Sequence, residues 1–250
     1  FLAGAMNSVA GGGTLLTFPA LFAALGPLGP QAAAAVANGT STVALMPGSI
    51  AGAVGYRKEL WECRRFVARM IAPSLLGGFA GAWLVGQNQK AFATLVPWLI
   101  LTAALLFVAQ APLSAWVKRR AVAAGKADRE PGPLTQALVI GFQFLVAVYG
   151  GYFGAGIGIL MLSALGFMGV GDIHRMNAVK TFLASGINAA AVVVFVRDGL
   201  VKWDLAWPMV AAAIVGGYAG ARVARRLPAR YVRYVVIVIG FGLAAYYFVT

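Results

Sequence analysis

Leu134–Met168 reads LTQALVIGFQFLVAVYGGYFGAGIGILMLSALGFM, an uncharged run broken in its middle by the glycine-rich segment Gly150–Gly158. One bilayer crossing takes about 20 apolar residues, so this run is too long for one helix. Its second arm, Ile159–Met168, is about ten residues, or roughly 15 Å of helix, which is half a bilayer. The first arm, Leu134–Tyr149, is longer than a half-span. The break predicts a hairpin that enters the membrane and returns on the same side. Non-helical backbone at membrane depth must be buried in protein or line a watery cavity, so the break is also where a site is expected.

The whole chain has the same character. Of 250 residues, 61% are hydrophobic and 11% charged. Soluble domains carry roughly a quarter charged residues, so this chain could not cover a water-facing surface. Apolar runs occupy Phe1–Leu25 (broken at Gly11-Gly12-Gly13), Gln31–Tyr56, Phe66–Val85, Phe92–Leu113, the quoted Leu134–Met168, Met176–Val196, Leu205–Val223 and Tyr231–Val249. A polar connector, Ser114–Gly132, separates the fourth from the fifth. The single cysteine, Cys63, excludes an internal disulfide framework.

The runs repeat. Asn38 and Thr42 match Asn177 and Thr181 at an offset of 139, and Gly77–Ala82 (GGFAGA) matches Gly216–Ala221 (GGYAGA) at the same offset. Pro19-Ala20-Leu21 matches Ser163-Ala164-Leu165 at 144, the difference falling in a loop that tolerates insertion. Residues 1–113 and 134–250 therefore read as two related halves joined by a basic linker, 114–133. Such internal repeats are common in secondary transporters.

The net charge of +13 suggests nucleic acid until its distribution is read. The loop after the second run (Arg57, Lys58, Arg64, Arg65, Arg69 against Glu59, Glu62) and the connector each carry a net +3, and the loop after the seventh run +5. Basic loops stay cytoplasmic. Eight plain crossings would put the connector and the seventh-run loop on opposite faces. If runs one and five are hairpins, the conflict disappears. Each half then has a hairpin and three crossings, and the odd number inverts one half relative to the other. The expected fold is an all-α polytopic membrane protein of two homologous inverted repeats, each a glycine-broken re-entrant hairpin plus three transmembrane helices. Eight plain crossings are the alternative. The basic loops would touch anionic lipid heads; no nucleic-acid partner is expected.

Freed amides at the start of a half-helix can hold an anion, aided by the helix dipole. The first break supplies Asn7, Gly11, Gly12, Gly13 and Thr14; the second supplies Gly154 and Gly156. Polar residues open the next runs: Asn38, Thr40, Ser41 and Thr42 in one half, Asn177, Lys180 and Thr181 in the other, with Asn188 further along. Turned to lipid they would be costly; turned inward they can glue helices or meet a ligand. Lys180 either snorkels or attracts an anion beside the second hairpin, with His174 and Arg175 near its entrance. His174, the only histidine, is a solvated loop residue or a proton-coupling group. There is no nucleophile–His–acid set and no metal-ligand cluster, so neither an enzyme nor a metal or other cofactor is expected. The GGFAGA-type blocks read as helix packing.

Ala10–Pro19 (a small residue, three glycines, then proline six on), Ala37–Thr42 (ANGTST) and Gly52–Arg57 (GAVGYR) together resemble the TauE/SafE proteins, also called the sulfite exporter or toluene sulfonate uptake permease family. The resemblance covers essentially the whole chain. In the second half Ala155–Gly158 replaces the triple glycine and Ser163 the proline. The resemblance implies a bacterial inner-membrane transporter of small sulfur-containing anions such as sulfite and sulfonates. The expectation is a secondary transporter of such an anion, or of another small organic anion, working by alternating access around a mid-membrane site and open to proton coupling. A passive anion channel and a non-transporting membrane assembly protein are the alternatives. Oligomeric state is not readable.

Overall fold

A computed structural model describes residues 1–10, 13–124, 133–167, 173–224 and 229–249. Every regular element among them is helical. The helices are α1 (Leu2–Ala10), α2 (Thr14–Ala24), a short 3₁₀ turn (Gly26–Leu28), α3 (Pro30–Gly55), α4 (Arg57–Glu62), α5 (Arg64–Gln87), α6 (Gln89–Ala124), α7 (Pro133–Tyr152), α8 (Ile157–Phe167), α9 (Ile173–Arg197), α10 (Trp203–Ala224) and α11 (Ala229–Val249). Among the described residues, four stretches are long and apolar enough to cross a membrane: Arg64–Gln87, Gln89–Ala109, Leu134–Tyr152 and Arg175–Arg197. Thr14–Ala24, Trp203–Gly216 and Ile237–Phe248 are shorter apolar helices. The surface agrees. Leu138, Leu145, Val193, Trp207 and Val238 are all more than 60% exposed, an outward apolar belt that water would not tolerate but lipid does. The chain is a polytopic helical membrane protein.

As the glycine breaks predict, two helices, α1 and α2, make up the first run, and α7 and α8 the quoted one. Sequence and structure differ at two places. The basic loop after α3 contains a six-residue helix, α4, that hydropathy did not signal. The segment expected as a connector begins as helix, because α6 runs on through Lys118-Arg119-Arg120 to Ala124. Lysine and arginine are good helix formers, so a helix leaving the apolar layer need not stop there.

α7 and α8 turn back on each other: Gly150 packs against Ile157, and Val146, Leu162 and Leu165 share one buried cluster. α5 carries the GGFAGA block against α7 and α9. Gly78 and Gly151 meet main chain to main chain, and Gly78 also abuts Ile187. A Cβ on either of those glycines would collide, so small residues are what let the helices approach.

The packing between halves comes in matched pairs. α5 packs on α7 and α10 on α1; α5 on α9 and α10 on α3; α6 on α8 and α11 on α2. Two of the corresponding pairs, α3–α9 and α6–α11, also pack on each other, and they do so antiparallel. In α3–α9, Gly39 lies beside Phe195, while Ala53 and Val54 share a groove with Phe182 and Gly186. In α6–α11, Ala104 lies beside Gly240 and Trp98 stacks edge-on with Phe248 at 4.9 Å. One pair departs from the match. Contacts from Gly77 to Phe144 and from Gly81 to Val148 run α5 parallel to α7. Gly4 touches Ala213 and Phe1 touches Gly216, so α1 crosses α10 in the opposite sense.

Candidate functional site

The second break is the better-built of the two. Gly154 and Gly156 have φ values of +82° and +81°, a backbone region that L side chains rarely adopt. They turn the chain through Phe153–Gly156 between α7 and α8. The Tyr149 hydroxyl donates to the Ala155 carbonyl at 2.8 Å and closes this turn from below. Side chains from both halves hold its two ends. At the α7 end, the Asn38 amide donates to the Tyr152 carbonyl at 2.9 Å. Asn38 is 1% exposed, and its Oδ1 is a buried acceptor without a hydrogen-bond donor among the described residues. At the α8 end, the stem of Lys180 lies along Gly158: a Cβ there would sit 3.2 Å from Lys180 Cδ. The Lys180 ammonium donates to Asn177 Oδ1 at 3.2 Å. α8 begins here, with the Ile159 amide turned back onto the Gly156 carbonyl at 3.0 Å, so a cation's stem and a helix N-terminus lie side by side. Phe18 of α2 stacks edge-on with Phe153 at 5.4 Å, which brings the first half onto the break.

At the first break, Gly11 and Gly12 lie outside the described residues. Gly13 is buried, and a Cβ on it would lie 2.7 Å from the Ala3 carbonyl oxygen and 2.9 Å from Asn7 Cβ. The Asn7 amide reaches Ser49 Oγ at 3.4 Å. Thr17 donates to the Gly13 carbonyl at 3.2 Å and is also hydrogen-bonded to Ser41. Thr14 begins α2 and is half-buried.

The expected residues do not gather at one point. Because α3 and α9 are antiparallel, Asn38–Thr42 and Asn177–Thr181 lie toward opposite ends of that pair, and the second break reaches from one toward the other. Asn38, Gly154, Gly156, Asn177 and Lys180 belong to it. Thr40 does not: its buried hydroxyl accepts the Lys202 amide at 2.9 Å and fastens the chain entering α10. The Thr42 hydroxyl donates to the Asn38 carbonyl of its own helix at 2.8 Å. The Thr181 carbonyl accepts from Ser185 at 2.8 Å, and Thr181 and Asn188 are half-buried on α9. His174 falls in the first turn of α9, and its side chain lies outside the described set. Arg175, expected at an entrance, is paired with Glu62 of α4 at 2.7 Å.

Sequence reading missed Tyr149, Thr17 and the buried Gln143–Ser74 pair, in which Gln143 Nε2 donates to Ser74 Oγ at 2.8 Å across α7 and α5. Gln143 carried a usable signal, an amide inside an apolar run. Tyr149 and Thr17 carried none that separates them from ordinary core residues.

The fold and this break define a class: a polytopic helical membrane protein in which glycine-broken helices are gripped by polar side chains of neighbouring helices. The family model described as "Sulfite exporter TauE/SafE" matches residues 1–247, and the chain belongs to that family of membrane transporters. Three relatives cover nearly all of it. A probable membrane transporter protein of Haemophilus influenzae is 24% identical over 98% of this chain and 90% of its own length. A Sinorhizobium relative, probable membrane transporter protein ORF9, is 26% identical over 98% and 87%. The Escherichia coli K12 probable membrane transporter protein YfcA is 26% identical over 98% and 85%. No solved structure matches the chain significantly.

Proposed function

We propose that the protein is a secondary transporter of a small sulfur-containing or organic anion across the bacterial inner membrane, working by alternating access around the second break. The observation that carries this reading is Lys180. A lysine inside an apolar helix is costly unless it has a use, and this one lies along the first turn of α8, where an anion is favoured. Asn38 holds the other end of the same break from the first half, so both halves support it. We further infer that 1–113 and 134–250 are inverted repeats. Antiparallel packing of α3 on α9 and of α6 on α11 supports this, because a two-fold axis in the membrane plane reverses each helix against its counterpart. Proton coupling through His174 is part of the proposal.

The test is a thermal-shift screen of the purified protein with sulfite, sulfoacetate, thiosulfate and simple carboxylates. A ligand that binds only the folded state raises Tm by mass action, by about 2.7 kcal/mol of stability at a hundred times its Kd. Stabilisation by a sulfur oxyanion, absent in Lys180→Met, is expected. No shift with any of these anions would refute the reading.

A further inference from the structure

Two apolar grooves meet at Arg57. One lies between α3 and α9, lined by Ala53, Gly186 and Ala189, with a volume of about 430 Å³. The other follows α5 past Val67 and Ala68, with a volume of about 360 Å³. Arg57, Leu60 and Phe182 line both. Their volumes fall within the range of small-molecule sites, roughly 300–1,000 Å³. Both face outward: Val54 at the rim is 58% exposed and Trp61 70%.

The charges around the junction are unevenly used. Glu62 is taken by Arg175. The Arg64 guanidinium sits over the Trp61 ring at 5.2 Å and donates to the Trp61 carbonyl. Arg57 has no ion pair among the described residues, Glu59 included. Lys58, Arg65 and Arg69 stand exposed nearby and keep the potential positive. A tryptophan with arginines at the end of apolar helices marks the level of lipid headgroups. One anionic head above two apolar tracks has the shape of a diacyl lipid, and neither a soluble anion nor a peptide would use both grooves.

We propose that this junction is a specific site for one anionic diacyl phospholipid, its phosphate on Arg57 and one acyl chain in each groove. The chain between α3 and α9 lies where the two halves face each other, so the lipid binds both. This site is separate from the second break and does not depend on the anion assignment there.

The test is native mass spectrometry of delipidated protein titrated with dioleoylphosphatidylglycerol or dioleoylphosphatidylcholine in the same detergent. One arginine near a membrane surface favours an anionic lipid by about fivefold. The wild type should bind phosphatidylglycerol about fivefold more tightly than phosphatidylcholine. Arg57→Gln should remove the preference, while Lys58→Gln, one residue away and outside both grooves, should keep it. Ala189→Phe, or Ala68→Phe where the first does not fold, should weaken both lipids by filling one track. Equal affinity for the two lipids in the wild type would overturn the proposal. So would equal losses in Arg57→Gln and Lys58→Gln, which mean a diffuse basic surface. Displacement of the lipid by glycerol 3-phosphate at equal concentration would overturn it too, because the head alone would then suffice.

Discussion

Replacing Lys180 with methionine should separate stability from function. Lys180 stands seven residues into α9, about 10 Å along the helix at 1.5 Å per residue. A lysine at the centre of a membrane helix costs about 2.5–3.5 kcal/mol, and snorkelling recovers part of that. Methionine keeps the unbranched stem that lies on Gly158 and removes the charge. The one loss is the hydrogen bond to Asn177, about 1.5–3 kcal/mol because its donor is charged. The two terms nearly cancel, so the variant should unfold close to the wild-type temperature. Binding should fall. A hydrogen bond from a charged donor to the substrate contributes about 1.5–3 kcal/mol. Its removal weakens the anion about 10- to 100-fold, since each 1.4 kcal/mol is a factor of ten. Thermal unfolding and anion titration on the same preparation read both quantities. A variant that is destabilised but binds and transports normally would refute the reasoning, because Lys180 would then be structural.

Four further outcomes follow from the same geometry. Gly154→Ala and Gly156→Ala should each lower stability by about 1–2 kcal/mol in thermal unfolding, because alanine is strained at positive φ. Gly158→Ala meets only the movable stem of Lys180, so it should change stability less than either and anion affinity more. Asn38→Ala should cost about 1–3 kcal/mol, because the Tyr152 carbonyl loses its donor. In a double-mutant cycle, Ser74→Ala with Gln143→Leu should destabilise less than the sum of the two single changes, because Ser74→Ala alone strands the buried Gln143 amide, whereas Ser74 keeps its bond to the Met70 carbonyl.

Much of this was written in the sequence because lipid leaves few options. Each long apolar run became a helix, and the two glycine-dense breaks interrupted helices as expected. Asn38 and Lys180 stood out because polar groups in an apolar run must find a partner. The partners themselves were not legible. Nothing local says that Asn38 reaches Tyr152, or that Thr40 holds the Lys202 amide, since those contacts depend on how distant helices cross. Where the expected site residues lie was not legible for the same reason: an antiparallel α3–α9 pair separates the matching clusters Asn38–Thr42 and Asn177–Thr181. α4 escaped notice because six residues, four of them charged, give too short a pattern, and the extension of α6 because Lys118-Arg119-Arg120 interrupts its apolar pattern.

Counterflow in proteoliposomes tests the central claim most directly. Vesicles preloaded with unlabelled sulfite or sulfoacetate are diluted into labelled anion with the membrane potential clamped at zero. An alternating-access carrier should accumulate label transiently above equilibrium, and Lys180→Met should reduce that overshoot. Flux that follows an imposed voltage with no overshoot in the wild type, for any of the anions that bind, would contradict the account.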